Sequence, residues 1–284
     1  MHSQLGISIH GVDTEYVRKR GFKRVQICQK FSKTEDVTSL LKLSREKGIK
    51  ISFHAPIFHQ VDHAATYYLS KNFRLREATF EILEINMKMA QCLPSEYVVI
   101  HFTSKTMKDE SYDSYEEMMK IARRSVKRLG KLAEKYSLKV NIEYASYDEK
   151  FRDPDEWIEL VKDQSDVGIC LDIGQLFTNC KALKLDFHEK LRDILPYTNA
   201  VHIWNTRDES DLDKFGYIPV NPSQSPEEGW IDIEKSIEII KEQKREIPII
   251  FEPNFDYSGE EYFSEGLDWV NNIIGKKELE KITV

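Results

Sequence analysis

Six residues each stand where a short apolar run gives out: His54 in "SFHAP", His101 in "VIHF", Glu143 in "NIEY", Asp172 in "CLDIG", His202 in "VHIW" and Glu252 in "IFEP". Imidazoles and carboxylates are the side chains that hold divalent metals and move protons. Any one of them alone reads as a hydrogen-bonded structural residue. Three carboxylates buried together are another matter, because desolvation and mutual repulsion force them to protonate or to surround something positive. Imidazoles can serve as that positive partner, and a divalent cation serves it more economically. Glu143, Asp172, His202 and Glu252 offer three oxygens and one nitrogen. That set suits Mn, Mg, Co or Zn and leaves room for substrate oxygens at an octahedral ion. One ion is the expectation, and two are accommodated if His54 and His101 complete a second position sharing Glu143. Otherwise these two histidines bind substrate directly.

Residues so far apart in the chain meet only if the elements carrying them end at one place. The apolar runs "LGISIHG", "RVQICQ", "KISFHAP", "YVVIHFTS", "KVNIEYAS", "DVGICLD", "NAVHIWN" and "PIIFEPNF" are of strand length. They are too continuous for a half-exposed antiparallel sheet and read as parallel strands. Helix patterns separate them. The S-x-x-E spacing at Ser32, Ser114 and Ser258 predicts capped helix starts, and Asp153-Pro154-Asp155-Glu156 predicts another. Gly48 is placed to end the helix before the third strand, and Asp232 to cap the helix after the long seventh loop. No G-x-G-x-x-G follows the first strand and no linker marks a second domain. Eight strand–helix units predict an α/β fold closed into a (β/α)8 barrel, whose strand carboxyl ends share one cavity. The domain expectation is a single barrel over residues 1–284, with a short polar tail from about 276.

Composition narrows the partners. A formal charge of -7 argues against a large basic nucleic-acid footprint, and the "RRSVKRLGKLAEK" cluster alternates with apolar positions as a solvated helix face does. No apolar stretch is long enough for a membrane span, and the amino terminus lacks a signal-peptide pattern, so the expected location is cytoplasmic. Cys28, Cys92, Cys170 and Cys180 form no C-x-x-C pair and are expected to be buried free thiols.

The strand-end series "SFHAP", "VVIHF", "VNIEY", "GICLDIGQ", "AVHIWN" and "IIFEP" resembles the xylose isomerase-like TIM-barrel superfamily, which holds sugar isomerases and epimerases together with endonuclease IV. The resemblance spans nearly the whole chain. It implies one divalent metal on Glu143, Asp172, His202 and Glu252, with the two glutamates acting as acid and base on opposite faces of the substrate carbon. On the endonuclease side of the family it implies zinc on His54 and His101. That side also has a histidine three residues after the sixth-strand Asp and a D-x-H pair in the loop after strand seven. Here the first position is Gln175, and the loop has no histidine. An amide still hydrogen-bonds a polyol but is a poor metal ligand.

The expected function is therefore a metal-dependent isomerase or epimerase of a sugar, sugar phosphate or related polyol, working through an enediolate. An endonuclease IV-like phosphodiesterase with an incomplete third zinc site is the first alternative, and a non-catalytic metal- or sugar-binding barrel the second. Gln175, Arg207, Lys105 and Trp230 are candidate substrate contacts. Arg207 and Lys105 could hold a phosphate or carboxylate, and Trp230 could be carried over the substrate by the seventh loop. Trp204, Phe58 and Tyr144 are weaker aromatic candidates, and His10 ends the first strand. The partner is a small molecule, with nucleic acid and membrane disfavoured and a homo-oligomer allowed.

Overall fold

The structure is a computed structural model that describes residues 1–9, 14–28, 34–56, 66–104, 111–145 and 151–282, with backbone alone for 34–37 and 276–282. His10, the Ser32 cap, Phe58 and Lys105 lie outside the described residues.

The parallel strands are β1 (Leu5–Ser8), β2 (Arg24–Ile27), β3 (Lys50–Ala55), β4 (Ser95–His101), β5 (Lys139–Tyr144), β6 (Val167–Asp172), β7 (Thr198–Ile203) and β8 (Ile249–Phe251). They pair in sequence order and β8 returns to β1, closing the barrel. Each crossover carries helix: α1 (Thr14–Arg20), α2 (Thr34–Lys47), α3 (Phe73–Gln91), α4 (Tyr115–Tyr136) and α5 (Pro154–Val161) lead from β1 to β6 in turn. Then α6 (Ile173–Leu183) and α7 (Phe187–Ile194) precede β7, and α8 (Glu209–Phe215) and α9 (Ile233–Lys241) precede β8. The long closing helix α10 runs Phe255–Ile282.

The local signals for these helices act as expected where they are described. The Ser114 hydroxyl accepts from Glu117 N–H at 3.1 Å, Asp153 accepts from Asp155 N–H at 3.0 Å, and Asp232 accepts from Lys235 N–H at 3.0 Å. Gly48 ends α2 with φ 65°, a conformation that costs glycine nothing. The start expected at Ser258 is displaced, because the backbone breaks at Gly259 (φ 82°, ψ 175°) inside α10.

Most buried apolar residues lie in one large cluster, in which strand residues such as Ile169 and Leu171 pack with helix residues such as Leu176 and Leu191. A second small cluster holds Tyr97, Val99, Cys170 and Ala200. Val99, Cys170 and Ala200 each sit two residues before His101, Asp172 and His202. Side chains two apart on a strand share a face, so this cluster forms the layer of the barrel interior beneath the polar strand ends. The expectation of buried thiols holds for Cys28, Cys170 and Cys180 and fails for Cys92, which is exposed at the carboxyl end of α3. No described helix is long and apolar enough to cross a membrane.

Candidate active site

The register brings the strand ends level. His101 pairs with Glu143 across β4 and β5, and Asp172 with His202 across β6 and β7. Glu143 lies at the centre of a histidine cluster. Its Oε2 lies 2.9 Å from His54 Nε2 and 2.8 Å from His101 Nε2, while its Oε1 lies 3.0 Å from His202 Nδ1. The same Nδ1 is 3.6 Å from Glu252 Oε1. Ring centroids of His54 and His101 are 4.9 Å apart, and those of His54 and His202 are 5.8 Å apart. His54, His101, Glu143, Asp172 and His202 are all buried.

Asp172 has two tasks. Its Oδ1 caps α6 by accepting from Gln175 N–H at 2.8 Å, and it also accepts from Trp204 Nε1–H at 2.7 Å. Its Oδ2 is buried without a hydrogen-bond partner, and so is Glu252 Oε2. Buried anionic oxygens are rarely left so, because an unmet acceptor forfeits its hydration. One ligand atom each from Asp172, His202 and Glu252 lies within 4.8 Å of the others, as do single atoms from His54, Glu143 and His202. The orphaned oxygens and the mixed oxygen–nitrogen donor set fit a divalent cation.

The electrostatics push neighbouring acids apart. Burial alone would raise the Glu143 carboxyl, but facing His101, His54 and His202 hold it well below the usual carboxylate range. Burial, aided by the charges of Glu252 and Glu143, drives Asp172 well above that range. Glu252 is likewise raised by burial, against the lowering influence of His202. Burial disfavours the His202 imidazolium, yet Cys170, Glu252 and Glu143 outweigh it and raise the group well above its ordinary value. Burial lowers His54, against the pull of Glu143.

The remaining candidates scatter. Gln175 is buried in the first turn of α6, with its backbone N–H on Asp172. Arg207 donates from Nε (2.7 Å) and Nη2 (2.9 Å) to Asp211, and its guanidinium lies 5.1 Å from the centre of the half-buried Trp230 ring. Asp211 therefore meets much of the Arg207 charge. Tyr144 is buried beside Trp157, its hydroxyl accepting from Asn179 at 3.3 Å.

Two residues of the site, Gln26 and Gly174, escaped the sequence reading, and Trp204, expected as an aromatic contact, has a different role. Gln26 on β2 presents its side-chain amide to His202 Nε2, with Nε2 at 2.9 Å and Oε1 at 3.3 Å. Its only signal was a polar residue inside the apolar run "RVQICQ". Trp204 acts as a hydrogen-bond donor to Asp172, and Gly174 makes that possible. A Cβ at Gly174 would stand 2.2 Å from the Trp204 ring, so the glycine in "LDIGQ" is the space into which the indole fits.

The family model described as xylose isomerase-like TIM barrel matches residues 14–273. No curated protein sequence matches the chain. Among solved structures, a D-tagatose 3-epimerase-like protein superposes with TM-score 0.68 at 19% identity, covering 99% of this chain and 100% of its own. A 3-keto-D-glucoside 4-epimerase from E. coli gives TM-score 0.69 at 12% identity, covering 95% of this chain and 99% of its own. The IolI protein with a bound zinc atom gives TM-score 0.66 at 16% identity, covering 98% of this chain and 97% of its own. With the family model spanning most of its length and the closed eight-stranded barrel behind it, the chain belongs to the xylose isomerase-like TIM-barrel family.

Proposed function

We propose that the chain is a divalent-metal-dependent isomerase or epimerase of a sugar, sugar phosphate or related polyol, acting as one barrel domain on a cytoplasmic small-molecule substrate. The observation that carries this is the pair of buried, partnerless carboxylate oxygens, Asp172 Oδ2 and Glu252 Oε2, on two residues that each bring a ligand atom within 4.8 Å of one on His202. Glu143, Asp172, His202 and Glu252 would hold the ion. A divalent ion there supplies Lewis-acid polarisation, which acidifies a carbon next to a carbonyl. The names of the solved relatives, several of them sugar epimerases, support the substrate class.

The protein groups divide the proton work. Glu143, held ionised among its imidazoles, would accept a proton, and Glu252 would return one. Gln175 and Trp230 would contact substrate hydroxyls and ring, and Arg207, already paired with Asp211, would take a substrate anion only by sharing.

The tight His54–Glu143–His101 group supports a second reading, in which a second ion turns the site to phosphodiester hydrolysis. Metal content of protein purified without chelator, with Glu143→Gln and Asp172→Asn beside it, should show a bound divalent ion that the substitutions remove. Solvent deuterium should then enter a ketose, inosose or their phosphates, while abasic DNA stays intact. A protein that neither carries nor rebinds metal defeats the site, and nicking of abasic DNA without deuterium exchange selects the hydrolase.

A further inference from the structure

Helix α3 carries two apolar faces. Thr79, Phe80, Leu83, Asn86, Met87 and Ala90 are buried and pack it on the barrel, and Glu77 and Glu84 tie one flank to Arg128 and Lys135 of α4. Away from both runs a second seam: Leu75, Ala78, Ile82, Ile85, Met89 and, at the cap, Cys92. Leu75 is 39%, Ile85 43% and Met89 39% exposed. Their alternating spacing of three and four is that of a helix–helix seam, whereas packing on the barrel needs only the first face.

The seam is symmetric. In an antiparallel pair turned about a point between Leu83 and Glu84, Leu75 faces the partner's Cys92, Ala78 faces the partner's Met89, and Ile82 faces the partner's Ile85. Each layer sets a large side chain against a small one or two isoleucines against each other. Ala78, with Leu75 and Ile82, also borders an apolar cavity of about 210 Å³ at the end of β3, which gives a methionine room. On the flank, Glu81 comes opposite the partner's Lys88, twice by symmetry. Both are exposed; Glu81 has no charged partner among the described residues, and Lys88 has only the electrostatic pull of Glu84 on its own helix. A parallel, in-register pair would set these charges against Asn86 and Leu93 instead, neither of them charged. Sequence symmetry and charge therefore agree on one orientation.

We propose that α3 is the surface through which two copies of this chain associate as an antiparallel, two-fold dimer, independently of what the barrel catalyses. Sedimentation velocity of the full chain over a dilution series should show a dimer. Ile85→Asp should make it monomeric with an unchanged far-ultraviolet circular dichroism spectrum, because Ile85 is exposed in the single chain and its loss leaves the barrel packing intact. Glu81→Lys or Lys88→Glu alone should weaken association at least tenfold, and the two together should restore it. Leu75→Cys under oxidised glutathione should give a covalent dimer that Cys92→Ser abolishes. A chain that stays monomeric at its highest soluble concentration, or a dimer that survives Ile85→Asp, overturns the proposal.

Discussion

Asp172 uses one carboxylate oxygen for the fold and leaves the other without a partner. An amide at this position keeps the engaged acceptor for Gln175 N–H and Trp204 Nε1–H while removing the charge. Because burial and its acidic neighbours hold the folded pKa above the unfolded value, the folded protein keeps a proton that the unfolded chain releases in the ordinary carboxylate range. The Asp172 contribution to the stability of the metal-free protein should therefore be full below that range and be lost as pH rises through the raised pKa. Asp172→Asn should remove this contribution's pH dependence and stabilise the chelator-treated protein at neutral pH by about 1–3 kcal/mol, because a neutral amide escapes the cost of burying a charge beside other acids. It should also weaken divalent-ion binding by at least about tenfold, as loss of a charged ligand does. Melts in chelator across pH and calorimetric metal titration check both halves. A variant less stable than wild type in chelator at neutral pH, or binding metal equally well, would show that Asp172 serves the fold alone.

At the scale of elements, α6 begins on the residue that ends β6, so strand, cap and site are one construction. Gly174 lies in its first turn, where the Trp204 ring leaves no volume for a methyl group. Gly174→Ala gains helix propensity of about 1 kcal/mol, but the contact with the ring forces Trp204 or the helix start to move, at a cost of about 1–3 kcal/mol. The net expectation is a destabilised protein in which the indole no longer donates to Asp172, read as a lower melting temperature with altered tryptophan fluorescence and weaker metal binding. An unchanged melt with unchanged metal affinity would mean the ring is not held against α6. Such features explain what the sequence could and could not announce. The caps at Ser114, Asp153 and Asp232 are local, made within three residues, and were legible. So were the polar strand ends, because closure of the barrel brings every one of them to the same end. Gln26 beside His202, Trp204 over Gly174 and the pairing of Arg207 with Asp211 depend on register, indole placement and side-chain direction, none of which one-dimensional spacing encodes.

Across the whole molecule the barrel separates its two ends by purpose, as such barrels do, with chemistry at the carboxyl end and stability at the amino end. Opposite the histidines, the first residue of β2, Arg24, is buried and reaches three other parts of the barrel. It donates to Ser3 O at 2.9 Å ahead of β1, to Glu246 at 2.8 Å ahead of β8, and to Glu96 on β4. Lys50 at the start of β3 adds a second cation to Glu96 at 3.1 Å. One guanidinium thus ties the amino ends of β1, β2, β4 and β8 across the barrel floor. Removing one member of a buried ion pair is costly because its partners are left uncompensated. Glu96 and Glu246 are each about a third to a half exposed, and water would meet much of their charge. Arg24→Met, which keeps the stem, should therefore lower stability by about 1–3 kcal/mol, less than a fully buried pair would. Metal affinity measured well below both melting transitions should stay within about twofold of wild type, since well-separated sites without shared partners act additively. Thermal melts paired with metal titrations test this. A loss of affinity as large as that caused by Asp172→Asn would show that the floor of the barrel sets the geometry of the strand ends, and the division of labour between the two faces would not hold.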